Sequence, residues 1–287
     1  MVKVEQLIKN YGDYRLQVSL EIPDGTVTGI VGKNGAGKST IIKAILGLIR
    51  PDGGQVLING KEAAALTGAE KARIGVALSE SGFSSYLRVA DVIAILKKTY
   101  PSFDEAFFRS RCAAQGLPLD KQIKDYSTGM RAKLRVLTAI SHGAELLIMD
   151  EPTAGLDVEA RGEILDLLRQ VLAENDRRSI LLTSHISSDL ETLCDDIYLL
   201  HEGRLILHED TDAILSNYAI LKVDEDTYAA LDKSHILRAK KETFGYACFT
   251  NEKQYYAENY PGIVIENGSI DELILMLTGG KSDAWPA

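Results

Sequence analysis

The residues best suited to chemistry are Gly32, Lys33, Asn34, Gly35, Ala36, Gly37, Lys38, Ser39 and Thr40, and the chemistry they suit is the binding of phosphate. They fit the pattern G-x-x-x-x-G-K-[ST]. An apolar run at residues 26–31 precedes them, and Ile41, Ile42, Ile45 and Leu46 follow at helical spacing, the strand-loop-helix setting the pattern requires. Glycines let consecutive N–H groups turn into one concavity at a helix N-terminus, where phosphate oxygens bind. Lys38 adds a point charge for the outer phosphates, and the Ser39 hydroxyl can ligate Mg²⁺. Phosphoryl transfer also needs carboxylates, one for Mg²⁺ and one group to position water. Asp150 and Glu151 supply them at the end of the apolar residues 146–149. In isolation the pair would read as a solvated turn. After such a loop it reads as the C-terminal tip of a buried parallel strand, where ligands lie in open α/β sheets.

The rest of the 287 residues must position these groups. Leu7-Ile8 and the alternating Leu16, Val18, Leu20 and Ile22 predict two antiparallel strands joined by a polar turn from Asn10 to Asp13. Tyr11 in that turn either stacks on a base or is an ordinary turn tyrosine. Residues 89–115 read as helical, with Val92, Ile95 and Leu96 on one face. Further helices are expected at residues 129–141 and after Asp157, and strands at 55–58, 74–78, 180–183, 196–200 and 204–207. This alternation indicates an α/β domain with a largely parallel sheet. Beyond residue 216, strands at 220–223, 235–240, 246–249 and 263–265 and helices at 227–231 and 270–277 predict a small α+β appendage, with a loose tail from Gly279 to Ala287.

Composition is that of an ordinary globular protein, 45% apolar and 25% charged, with a net charge of −9. That charge argues against broad nucleic-acid binding. No apolar run reaches the ~20 residues a bilayer span needs, and the start lacks a signal-peptide core, so a cytoplasmic chain is expected. Cys112, Cys194 and Cys248 have no paired spacing and are expected to be reduced, packed thiols. His142, His201, His208 and His235 have no motif around them and are expected to be structural or solvent-facing.

Taken in order, these segments resemble the nucleotide-binding subunit of ATP-binding cassette (ABC) transporters over about residues 1–210. Gly32 to Thr40 matches the Walker A motif and Leu146 to Glu151 the Walker B motif with its following glutamate. Ala154-Gly155-Leu156-Asp157 matches the D-loop, His185 the switch histidine, and Tyr126-Ser127-Thr128-Gly129-Met130 lies where the family carries its LSGGQ signature. The resemblance implies a P-loop NTPase core with a parallel sheet, an antiparallel β layer and a helical subdomain at about 79–141. It divides the chain into a nucleotide-binding domain at 1–215 and an accessory domain at 216–287. It also implies ATP and Mg²⁺ as cofactors, with Glu151 and His185 catalytic, Ser39 and Asp150 on the metal, Ser127 and Gly129 serving nucleotide across an interface, and Asp157 among the nucleotide-binding residues. The implied partners are a transmembrane permease and a second cassette, identical or paralogous, with the chain peripheral on the inner face of the membrane.

Two positions depart from the family. Thr128 adds a Cβ where a glycine is usual, and Ser79 replaces a glutamine that reaches Mg²⁺ and water; a bridging water or Glu80 would have to substitute. The signature segment and Tyr100-Pro101-Ser102-Phe103-Asp104 are most similar to Gram-positive exporters of peptides and antibiotics, of the bacitracin, lantibiotic and phenol-soluble-modulin types. The function implied is an ATPase powering a separate exporter. The alternatives are a soluble ABC ATPase acting on ribosomes or DNA, and a low-turnover regulatory ATP-binding module.

Overall fold

The computed structural model describes residues 1–79 and 82–278; Glu80 and the expected loose tail lie outside the described residues. The chain opens with a hairpin of β1 (Val2–Tyr11) and β2 (Tyr14–Ile22), then β3 (Val27–Val31), α1 (Lys38–Ile45), β4 (Gly53–Ile58) and β5 (Lys61–Glu62). A four-residue α2 (Gly68–Lys71) leads to β6 (Ile74–Ala77), and α3 (Val89–Thr99), α4 (Glu105–Ala114) and α5 (Thr128–Ile140) follow. Next come β7 (Leu146–Asp150), α6 (Val158–Ala173), β8 (Ser179–Ser184), α7 (Ser187–Leu193), β9 (Asp196–His201) and β10 (Arg204–Asp210).

These strands form one ten-stranded sheet in the order β5-β4-β1-β2-β10-β9-β3-β8-β7-β6. β9, β3, β8, β7 and β6 are parallel, whereas β5, β4, β1 and β2 are antiparallel. The expected antiparallel layer is therefore continuous with the parallel sheet: β10 runs antiparallel to β9 and touches β2 at a single bridge, Arg204 to Gln17. Burial explains the two strand types. β7 is buried throughout, as a strand covered on both faces must be, while β2 buries Leu16, Val18, Leu20 and Ile22 and exposes the residues between.

One face of the sheet packs on α1 through Ile41, Ile42 and Ile45, against Leu16, Ile22, Ile148 and Leu181. The other packs on α5 and α7, with α3 and α6 in the same buried cluster. Leu134, Leu137 and Ile140 form the buried stripe of α5, and truncating Leu137 to alanine should cost about 2–5 kcal/mol. The helical reading of residues 89–115 resolves into two helices. α3 ends before Pro101, which cannot donate to a helix, and α4 restarts where the Asp104 carboxylate accepts from Phe107 N at 2.8 Å. The α3 stripe is Val89, Val92, Ile93 and Leu96; Ile95, expected inside, is 40% exposed, because spacing i, i+3, i+4, i+7 places it off the stripe.

After β10, α8 (Thr211–Asn217) runs across residue 215 into β11 (Ala219–Val223), α9 (Glu225–Ala230), β12 (Ile236–Glu242), β13 (Gly245–Thr250), α10 (Lys253–Asn259), β14 (Val264–Asn267) and α11 (Ile270–Thr278). The strands make a separate antiparallel sheet, β12-β13-β11-β14. One face closes over Leu221, Leu231, Cys248 and Tyr256. The other, with Ile270 and Leu273 of α11, joins the main core beside Leu190 and Leu193 of α7. All three cysteines are free and buried. Of the histidines without a motif, His142 is buried, with its ring against Thr138 O and Ile74 O and stacked on Tyr100. No helix among the described residues is long and apolar enough to cross a membrane.

Candidate nucleotide site

β3 and α1 place the phosphate loop, and its backbone explains its glycines. Gly37 sits at φ +115°, and a Cβ there would lie 2.3 Å from the Tyr14 hydroxyl oxygen. At Gly35, φ +84°, a Cβ would meet nothing within 4 Å, so the outer side of the loop is open to a ligand. The inner side is held down: the Tyr14 hydroxyl donates to Ala36 O at 2.6 Å and Gly203 N to the same oxygen at 3.3 Å. Lys38 is buried, donates to Gly32 O at 2.7 Å, and lies 3.5 Å from Glu151 Oε1. Ser39 is exposed at the first turn of α1, with Asn34 and Gly35 exposed on the loop.

The tip of β7 carries the carboxylates. Asp150, 5% exposed, accepts from Thr183 Oγ1 at 2.7 Å on Oδ1 and from Ser79 Oγ at 3.3 Å on Oδ2. Glu151 follows in a left-handed backbone, φ +51°, a conformation that costs a non-glycine residue about 1–3 kcal/mol. Its amide offsets that by donating to Thr183 O at 3.0 Å and approaching Thr183 Oγ1 at 3.2 Å. The turn aims Oε2 at His185, 2.5 Å from Nδ1 and 3.1 Å from the backbone N that donates to it. Lys38, Asp150, Glu151 and His185 are thus brought together.

Ser127, Gly129 and Asp157 are brought together at the starts of α5 and α6, where Thr128 lines one cavity with Glu151. Ser127 caps α5 by accepting from Met130 N at 3.1 Å, and Asp157 caps α6 by accepting from Ala160 N at 2.8 Å. A Cβ on Gly129 would lie 3.1 Å from Ala160 Cβ, so the two helix starts form one exposed edge. No hydrogen bond or ion pair among the described residues joins Ser127, Gly129 or Asp157 to the phosphate loop. Thr128 is exposed on this edge. Tyr126 is buried beneath it, its hydroxyl donating to Pro118 O at 2.5 Å, and burial pushes its pKa up to about 12. Tyr11 ends β1, 48% exposed, directly opposite Tyr14 across the hairpin.

Sequence reasoning missed Tyr14, Thr183 and Asp189. Asp189 is 1% exposed and accepts from Thr153 Oγ1 and Arg161 Nε, with Ser184 Oγ at 3.4 Å; it ties the turn after Glu151 to the segment before His185. For Mg²⁺, no cluster of three or more His, Cys, Asp or Glu exists among the described residues. The Ser39 hydroxyl and the Asp150 carboxylate nevertheless fit it, since Mg²⁺ keeps several waters and takes the remaining oxygens from phosphates.

A family model described as ABC transporter matches residues 16–154. The chain is 33% identical over 210 residues to a bacitracin transport ATP-binding protein of Enterococcus faecalis, covering 72% of this chain and 68% of that one. It is 32% identical to a lantibiotic transport ATP-binding protein of Streptococcus pyogenes, covering 74% and 92%. A solved structure of an ATP-binding subunit of an ABC transporter superposes with a TM-score of 0.66 at 27% identity, over 75% of this chain and 91% of that one.

Proposed function

The chain belongs to the ABC transporter family as an ATP-hydrolysing subunit, and from that premise we propose that it powers a separately encoded transmembrane exporter of peptides or antibiotics. The observation that carries the reading is the convergence of Lys38, Asp150, Glu151 and His185 on one edge of an open phosphate loop. The relatives' transport of bacitracin and lantibiotics supports the substrate class. Among the described residues the helices from Lys38 to Ser127 are 8, 4, 11 and 10 residues long. The long coiled coil that a DNA-acting ATPase would insert there has no support.

In this reading the loop amides and the Lys38 ammonium hold the β- and γ-phosphates, with Tyr11 against the base. Ser39 and Asp150 would hold Mg²⁺, which would neutralise charge on the phosphate oxygens. Glu151 accepts a proton from water as its oxygen attacks the γ-phosphorus and the bond to the β,γ-bridging oxygen breaks. The His185 ring, held by Glu151 through Nδ1, faces the γ-phosphate, where charge spreads in the transition state. Ser127 and the Gly129 N–H serve the γ-phosphate of a second cassette. The unit from β11 onward regulates or stabilises this pair.

Purification of the tagged chain from detergent-solubilised cell membranes is the test. Recovery of a transmembrane protein whose presence stimulates ATPase activity is expected. Recovery on ribosomes, or with no membrane protein, would contradict the proposal.

A further inference from the structure

The segment after β6 is where the chain departs from its family pattern, and a residue of α5 holds it. Arg135 donates from Nη1 to Ser79 O at 2.6 Å and to Leu78 O at 3.4 Å. Ser79 in turn donates from Oγ to Asp150 Oδ2, while Thr183 holds the other carboxylate oxygen. Arg135, Ser79, Thr128, Thr138 and Glu151 line one cavity of about 750 Å³ between α5 and the tips of β6 and β7. Among the described residues no carboxylate forms an ion pair with Arg135, and burial, followed by the neighbouring charge of Arg131, pushes its pKa down. A partly desolvated guanidinium anchored on main-chain carbonyls is costly. Its Nη1 group, with two N–H bonds, can still hold two successive carbonyls in place.

We propose that Arg135 is a positioning residue for the metal-side carboxylate: it clamps Ser79 to α5, so that the placement of α5 sets how the Ser79 hydroxyl meets Asp150. Arg135 lies about two helical turns from Ser127 at the exposed start of the same helix. A shift of α5 when Ser127 and Gly129 engage a partner's nucleotide is thereby passed through Arg135 and Ser79 to Asp150. One arginine and one serine then make the link between helical segment and metal edge that a single glutamine makes elsewhere in the family. The inference rests on the reading of Asp150 as the Mg²⁺-side carboxylate.

The test is the factor by which Mg²⁺ tightens ATP binding, measured by calorimetry on the full chain carrying Glu151→Gln, with Mg²⁺ and with EDTA. Arg135→Ala is expected to cut that factor about fivefold and to leave the affinity in EDTA unchanged. Ser79→Ala should give a cut of the same order, and the double substitution no more than the larger single one, since both act through one contact. Arg135→Lys, which keeps a donor, should recover part of the loss. An equal loss of affinity with Mg²⁺ and EDTA, or additivity with Ser79→Ala, would overturn the clamp. If Arg135→Ala does not fold, Arg135→Gln at an unchanged thermal midpoint takes its place. Asp150→Asn separates the two levels. A Mg²⁺ gain that survives in Asp150→Asn removes the reading of Asp150, whereas a gain lost there but untouched in Arg135→Ala removes the clamp alone.

Discussion

Two edges of this molecule carry the residues proposed to bind phosphate, and they are built in opposite ways. Around Lys38, Asp150, Glu151 and His185, nearly every polar group is engaged by another from the same chain: Gly32 O by Lys38, both oxygens of Asp150 by Thr183 and Ser79, and Oε2 of Glu151 by His185. At the starts of α5 and α6, Ser127 and Asp157 each cap their own helix, and the surface beyond them is exposed, with Val158 at 85%. In the proposed reading the first edge holds a γ-phosphate from one side. The second has the helix-start amides to hold one and no phosphate loop facing it. The difference supports the proposal that one chain carries two unlike halves of a nucleotide site, which a second copy, reversed, would complete.

The contrast breaks most sharply at Glu151. Glu151→Gln should bind ATP yet slow turnover by about 10²–10⁴-fold, as expected for loss of a general base; single-turnover hydrolysis in that variant checks it, and wild-type rates would remove Glu151 from the chemistry. On the other edge, Gly129→Asp should cost about 100-fold in turnover by placing a carboxylate where a γ-phosphate docks, with ATP affinity of the isolated chain unchanged. A parallel loss of ATP affinity would mean that the two edges meet within one chain.

Tyr11→Ala sharpens the first edge further. Loss of a base-stacking ring is expected to weaken ATP about tenfold and to weaken inorganic triphosphate not at all, by equilibrium binding. The smallest effect lies at the far end of α5. Burial, opposed by hydrogen bonds to Thr138 O and Ile74 O, holds the His142 pKa below its usual 6.5. The unfolded chain therefore takes up a proton at His142 before the folded one does. Its contribution to stability is whole above pH 6.5 and is lost as pH falls through that value toward the folded-state pKa. Urea unfolding at pH 7.5 and 5.5 should show a smaller acid-side drop in His142→Gln than in the wild type.

Much of the first edge was legible in the sequence because its geometry demands particular residue types at fixed spacing. Glycines must stand where the loop turns, Lys38 and Ser39 must open the helix, and carboxylates must end an apolar strand. The supporting contacts were not legible. Tyr14 and Arg135 donate to main-chain carbonyls, which any sequence offers, so their partners leave no pattern. Thr183 stands at a strand end before Ser184-His185, where a search for it would start, but Asp189 meets Arg161 and Thr153 only through tertiary packing. The same limit explains the fold-level differences. Ile95 matched the apolar composition of α3 while falling off its stripe, and α8 and α10, seven residues each, are too short to show a period.

The central claim, that two chains complete each other's nucleotide sites, is met most directly by light scattering on Glu151→Gln, with and without ATP, beside the same chain also carrying Gly129→Asp. The account predicts the monomer mass of 31.4 kDa without ATP, twice that mass with ATP, and the monomer mass under both conditions when Gly129→Asp is added. A monomer at saturating ATP, or an ATP-driven dimer that forms equally well with Gly129→Asp, would contradict it.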